Sequence, residues 1–353
     1  MIAVNRVPVG VIDAAKRTKR SRQERQAFME RLAADGLDFY LIGSRPEPND
    51  RRAPLDLYGV GEEEVAHLAR AARSAGIRLG ISAFPDERAV ESERQLSDIV
   101  DTLMKTPFMG DIDMLLLRFD GSPMSGRHLL VDTQVEITRA VAAAFRSQLR
   151  VAVCPTLYAD DVSKVGISVS DRDDYRRTWS QVDGDVSIFW SGSTLMSEGI
   201  DHHSVAGITR QYRRKPALWY NFPVNDGQGY QAQLRLIPKI DDVRQNMNQL
   251  ELIGFNPMKQ LRLSEIPIIS AARALRSDSE DWSAVTRQVC TETLGARLGE
   301  TVWSSIGRLD PADEEWAATR SELTSALAGD DSPYAAELRQ WLHEVQRGDK
   351  GGE

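Results

Sequence analysis

Aspartate, asparagine, tyrosine and tryptophan are concentrated in and beside a few short segments of this chain, at residues 13–17, 44–51, 120–123, 156–161, 192–197, 221–226 and 256–260. Asp120, Tyr158, Asn221, Asp226 and Asn256 stand in them, as does Arg45 in the second, and Cys154 and Trp219 fall just ahead of two others. Aromatic walls with a few amides and carboxylates are what a pocket needs to hold a polyhydroxylated ligand, because the rings cover C–H faces while the polar groups bond hydroxyls. The set reads as a carbohydrate-type site.

Such a site needs a scaffold that brings distant segments together. Eight apolar runs precede these segments or alternate with them, at residues 7–12, 38–43, 77–83, 113–119, 150–155, 186–191, 216–221 and 251–255. They are rich in Val, Ile, Leu and Phe without strict alternation, as strands covered on both faces are. Helix-period stretches lie between them, at 21–35, 62–74, 95–104, 134–147, 203–213 and 241–250. Gly36, Gly76 and Gly254 are placed where a helix end would take a left-handed cap. The pattern predicts a (β/α)8 TIM barrel over residues 1–276, whose active site forms at the C-terminal strand ends where the polar segments fall. An open doubly wound sheet is the runner-up, weakened because no G-x-G-x-x-G follows the first strand. Residues 277–353 carry helical patterning only and are expected to form a helical C-terminal extension, packed through Trp303, Trp316 and Trp341.

With 353 residues, the chain suits a barrel of about 250 plus an appendage. Its net charge of −8 argues against a nucleic-acid surface. The basic clusters at 16–20 and 213–215 read as solvated helix ends. Cys154 and Cys290 match neither a zinc nor a redox spacing, so no disulfide framework is expected. Cys154 itself reads as a small buried hydrophobe. His202 and His203 have no partner at metal spacing, so no metal and no cofactor are expected. No signal peptide and no run of eighteen apolar residues is present, which points to a cytoplasmic protein with neither membrane nor nucleic acid as partner.

Four segments resemble one family in order and spacing, over roughly residues 8 to 282. Cys154-Pro155-Thr156-Leu157-Tyr158 is similar to a C-P-T-E-Y strand end, and Trp190-Ser191-Gly192 with Ser197 to W-T-G…S. Trp219-Tyr220-Asn221-Phe222-Pro223-Val224-Asn225-Asp226 is similar to W-D-N-Y-P-V-N-D, and Asn256-Pro257-Met258 with Glu265-Ile266-Pro267 to N-P-M…K-I-P-L. These belong to the β-N-acetylglucosaminidases of the O-GlcNAcase and bacterial hyaluronidase type, glycoside hydrolase family 84. The resemblance implies a small-molecule or glycoconjugate substrate bearing an N-acetyl group. It also implies acetamide-assisted hydrolysis through an oxazoline. Two adjacent aspartates serve that chemistry, one ionised beside the acetamide N–H and one neutral beside the leaving oxygen. By the same resemblance Cys154, Tyr158 and Trp219 form the acetamide-methyl pocket, Asn221 contacts the amide, and Asp226 and Asn256 hold hydroxyls.

The chain departs from the family where the acid belongs. Its fourth expected strand ends Leu117-Arg118-Phe119-Asp120-Gly121, with one aspartate. Anchored on Phe119, Asp120 is the acetamide-orienting residue and Gly121 replaces the acid; slipped by one, Asp120 is the acid. After the first strand E-G-F-Y-G becomes Asp13-Ala14-Ala15-Lys16-Arg17, and after the second Arg45 replaces a lysine that reaches the sugar. Asp160, Asp161 or Glu47 could supply a substitute acid, or be solvated loop charges. The implied functions are therefore a divergent N-acetylglucosaminidase, one repurposed for another N-acyl substrate in a biosynthetic pathway, or a family member that binds an N-acetyl sugar without cleaving it.

Overall fold

The computed structural model describes residues 6–14, 20–43, 55–57, 61–86, 90, 92–120, 130–146, 148–163, 166–196, 199–227, 230, 232–277 and 281–347. Among the described residues nine strands form one sheet: β1 Val9–Asp13, β2 Phe39–Ile42, β3 Leu55–Leu57, β4 Arg78–Pro85, β5 Met114–Arg118, β6 Arg150–Cys154, β7 Ser187–Trp190, β8 Ala217–Pro223 and β9 Leu252–Asn256. Eight of them are the staves of a closed parallel barrel. The order runs β2-β1-β9-β8-β7-β6-β5-β4, and β2 pairs with β4 to close the ring. Each expected strand is present within a few residues of its predicted bounds. The addition is β3, antiparallel to the end of β4 with Leu55 opposite Pro85. Three residues after a proline carry no periodicity, so nothing in the sequence marked it.

A helix follows each stave: α1 Arg22–Ala34, α2 Glu62–Ala75, α3 Glu93–Lys105, α4 Val131–Phe145, α5 Val169–Thr178, α6 His202–Tyr212, α7 Asp241–Asn246 and α8 Glu265–Arg276. Local chemistry sets their ends. Ser21 caps α1 in a reciprocal box with Glu24, and Asp201 and Ser168 cap α6 and α5. Gly36 and Gly76 have φ of 75° and 73°, the expected left-handed caps. Gly254 does something else. It lies inside β9, where a Cβ would come within 2.5 Å of the Ile12 side chain, so the position demands small size and not a special dihedral.

Two compact units emerge from the chain. The first comprises Met1–Ala14, Asp38–Tyr220 and Asp241–Gly254; the second comprises Ala15–Leu37, Asn221–Ile240 and Phe255–Glu353. The core of the first is the barrel interior, filled by side chains two residues apart on successive staves: Ile12, Phe39, Leu41, Met114, Leu116, Ala152, Cys154, Phe189, Ala217, Trp219 and Leu252.

In the second unit, α8 is buried along most of its length and packs against α9 Trp282–Ser304. Next come α10 Trp316–Ala326 and α11 Pro333–Arg347. Trp316 and Trp341 meet edge to face at 5.4 Å. Among the described residues no helix is long and apolar enough to cross a membrane.

One carboxyl in the second unit is tuned close to neutrality. Glu265, 1% exposed at the start of α8, accepts a 2.6 Å hydrogen bond from the Tyr334 hydroxyl of α11. Arg31 of α1 stands 4.0 Å away, Arg262 and Glu337 are its other charged neighbours, and burial pushes its pKa up to about 7. A carboxyl whose folded-state pKa is raised stabilises the fold most below its unfolded value, near 4.5, and that contribution is lost as pH rises through 7. Burial raises Glu337 in the same direction. The melting temperature should therefore fall between pH 5 and pH 8, and Glu265→Gln should flatten that slope. An unchanged slope in the variant would rule out this carboxyl as its source.

Candidate active site

The interior face of β5 begins with Met114 and Leu116, and period-two alternation sends the next side chain, Arg118, inward at the barrel's C-terminal end. A guanidinium there needs a counter-charge, because an unpaired buried charge costs several kcal/mol. Asp120 supplies it two residues further on. Arg118 Nε donates to Asp120 Oδ1 at 2.8 Å and Nη2 to Oδ2 at 2.6 Å, a side-on bidentate pair. Only 6% of the Arg118 side chain and 5% of the Asp120 side chain is exposed. Nη1 donates to the Gly43 carbonyl at the end of β2. The guanidinium carbon lies 4.8 Å from the Trp219 ring centroid and 5.1 Å from that of Phe84. Burial alone would lower the proton affinity of the guanidinium; the Asp120 carboxylate more than offsets that, and the pKa is raised.

The loop after β6 is fastened to this pair's surroundings by α5. That helix reads VSDRDDYRRT, and its buried face consists of Tyr175 and Arg176. The Tyr175 hydroxyl donates to Gln134 Oε1 at 2.6 Å and accepts from the Thr156 amide at 2.9 Å. Thr156 Oγ1 in turn donates to the Phe119 carbonyl at 2.9 Å. Arg176 grips the same loop through the carbonyls of Leu157 and Ala159 and the Asp160 carboxylate, the last at 2.6 Å. Asp160 also accepts from the Trp190 indole at 2.9 Å. Asp160 is therefore not a free loop charge: Arg176 and the Trp190 indole both bond its carboxyl. Asp161 is exposed and accepts from the Ser163 amide. Glu47 and Arg45 lie outside the described residues.

This framework presents Tyr158 to Trp219, ring centroids 5.9 Å apart, with Phe189 against the other side of the indole at 5.7 Å. Cys154 is fully buried beneath them, a free thiol in the interior cluster. The first unit thus assembles Asp120, Cys154, Tyr158 and Trp219 around Arg118. Trp219 itself is 2% exposed, so the indole is enclosed by Tyr158, Phe189 and the guanidinium.

The remaining expected residues belong to the second unit. Asn256 Nδ2 donates to Asn221 Oδ1 at 3.0 Å, and both side chains are nearly buried. Asn225 ties the two loops together: its Nδ2 donates to Gln260 Oε1 at 2.9 Å, and its Oδ1 accepts from the Lys259 amide at 3.0 Å. Arg235, stacked between Phe222 and Tyr230, donates to the carbonyls of Asn221 and Val224. Asp226 is partly exposed in the same segment.

Sequence reasoning missed Arg118, Phe84 and the Tyr175–Arg176 clamp. The signal for Arg118 was present: a lone cation in LLLRFD, on the same strand face as an aspartate two residues later, has its partner within reach. Nothing comparable marked Arg176, which looks like an ordinary charge on a polar helix.

The fold is a closed (β/α)8 barrel, and in its first unit Asp120, Tyr158 and Trp219 stand at C-terminal strand ends. The β-N-acetylglucosaminidase family model matches residues 18–301, and the chain belongs to that family of glycoside hydrolases. Rat and mouse protein O-GlcNAcase are each 24% identical to it over 299 residues, 78% of this chain and 32% of theirs. A nonribosomal peptide synthetase of Emericella nidulans, atnA, is 23% identical over 149 residues, 39% of this chain and 2% of that protein. The chain thus spans a third or less of these relatives' length. A mutant of the O-GlcNAc hydrolase of Thermobaculum terrenum shares the fold, with a TM-score of 0.78 at 22% identity over 96% of this chain and 81% of that one.

Proposed function

We propose that this chain binds and hydrolyses an N-acetylated amino sugar, free or on a glycoconjugate. The substrate's own acetamide oxygen is the nucleophile and an oxazoline is the intermediate. Asp120 receives the acetamide N–H as an ionised carboxylate, Tyr158, Trp219 and Cys154 enclose the acyl group, Asn221 bonds the amide, and Asp226, Asn256 and Arg45 serve hydroxyls. The observation that carries this reading is the bidentate Arg118–Asp120 pair beside Tyr158 and Trp219. A carboxylate locked to a guanidinium suits the orienting role and not the role of acid. Cys154 and Cys290 are both buried thiols, which fits a cytoplasmic setting.

A second reading rests on the same pair. With glycine at position 121 and Arg118 lying against the Trp219 ring, the barrel could hold an acetylated sugar without cleaving it. An oxazoline-like inhibitor and an aryl β-N-acetylglucosaminide separate the two. Binding of the inhibitor with turnover of the aryl glycoside supports hydrolysis; binding without turnover supports the second reading; neither binding nor turnover ends the acetamide reading.

A further inference from the structure

The geometry points to a particular class of leaving group: one that departs as a stable anion, such as a phosphate ester, stabilised by Arg118 instead of protonated by a carboxylic acid. This rests on the hydrolytic reading above and narrows it.

Three observations converge. The residue that follows Asp120 is glycine, so β5 ends with a single carboxyl, and that carboxyl is committed to Arg118. In the next loop, the Asp160 carboxyl is bonded to Arg176 and the Trp190 indole, so it too already has partners. Arg118 itself is not saturated. Of the five N–H donors on a guanidinium, one goes to Asp120 from Nε, one from Nη2, and one from Nη1 to the Gly43 carbonyl. That leaves one N–H on each terminal nitrogen. A permanently charged, buried and rigidly held cation with two spare donors is suited to developing negative charge on oxygen, most of all in a dry site where the field is little screened.

The step balances without an acid. The acetamide oxygen forms a bond to the anomeric carbon as the bond to the leaving group breaks, and the electron pair departs on the leaving group. The positive charge of the oxazolinium faces the Asp120 carboxylate. Water then adds at the anomeric carbon, the ring C–O bond reopens to restore the acetamide, and one proton of the water passes to solvent. The products are the free sugar, the anion and a proton.

The experiment is a leaving-group series on the whole chain: β-linked N-acetylglucosaminyl phosphate, aryl glycosides of graded acidity, and a methyl glycoside, alongside binding of an oxazoline-like inhibitor. We expect kcat/KM to fall roughly tenfold for each unit by which the leaving-group pKa rises. The methyl glycoside should be inert and the phosphate cleaved faster than its pKa alone predicts. In Arg118→Met, provided it folds, the phosphate substrate should lose at least tenfold more than the aryl glycosides. The wild-type series needs no variant and tests the idea alone. A flat dependence, with the methyl glycoside turned over, overturns it while leaving the hydrolytic reading intact, and loss of that activity in Glu47→Gln would name the acid. Inhibitor binding with no turnover of any member overturns both.

Discussion

Asp120→Asn should be the most damaging single change in the barrel. It removes the counter-charge from a guanidinium that has no solvent to fall back on, and breaking a buried pair from one side costs about 3–5 kcal/mol. Turnover should fall by about 10²–10³-fold, the range for losing one group that stabilises developing charge in the transition state. Chemical denaturation and steady-state kinetics read the two effects separately. Arg118→Met combined with Asp120→Leu divides them: replacing both charges by apolar groups should recover most of the lost stability while turnover stays lost. A double variant that restores activity would show that the pair only packs the barrel. A single variant within 0.5 kcal/mol of wild type would show that Arg118 is not buried as described.

Arg176→Met should rank second. Arg176 is 2% exposed and holds two loop carbonyls as well as Asp160. Its removal leaves a partly buried carboxylate and two carbonyls short of partners, a loss of about 3 kcal/mol or more. Because those partners belong to the loop that carries Tyr158, the variant should also bind an oxazoline-like inhibitor at least tenfold more weakly. Hydrogen exchange across residues 155–161 should quicken before the rest of the barrel does. Asp161→Asn, on the same loop but exposed, is the control and should change stability by less than about 0.5 kcal/mol. Equal effects from the two variants would contradict the clamp.

The residues whose position the sequence makes legible and those whose surroundings it hides differ in one physical respect. Asn221 and Asn256 lie in the last residues of β8 and β9, in segments whose letters are close to a family pattern, so their position along the chain was legible although the hydrogen bond between them was not. Asp160 read as a loop charge because its partner, Arg176, is sixteen residues away across a turn and a helix. Glu265 sat in a stretch similar to K-I-P-L, and only Tyr334, sixty-nine residues later, explains why a buried carboxyl is tolerated there. Gly254 was taken for a cap; the Ile12 side chain that excludes a Cβ comes from the opposite end of the chain.

The amino-acid sequence determined by itself the number and order of the staves and six of the eight helices between them, because a parallel strand covered on both faces and an amphipathic helix each leave a local periodic mark, whereas α5 and α8 left none that was read. It also determined that a single carboxyl, Asp120, followed by Gly121, stands after β5, since that is a matter of letters. What only the tertiary structure decided is the partner of that carboxyl. Asp120 is held by a guanidinium that is itself stacked on Trp219 and Phe84 and bonded to Gly43, residues contributed by three other staves. Charge, burial and reach at that point depend on which side chains the closed barrel brings within a few ångströms, and spacing along the chain carries no record of that.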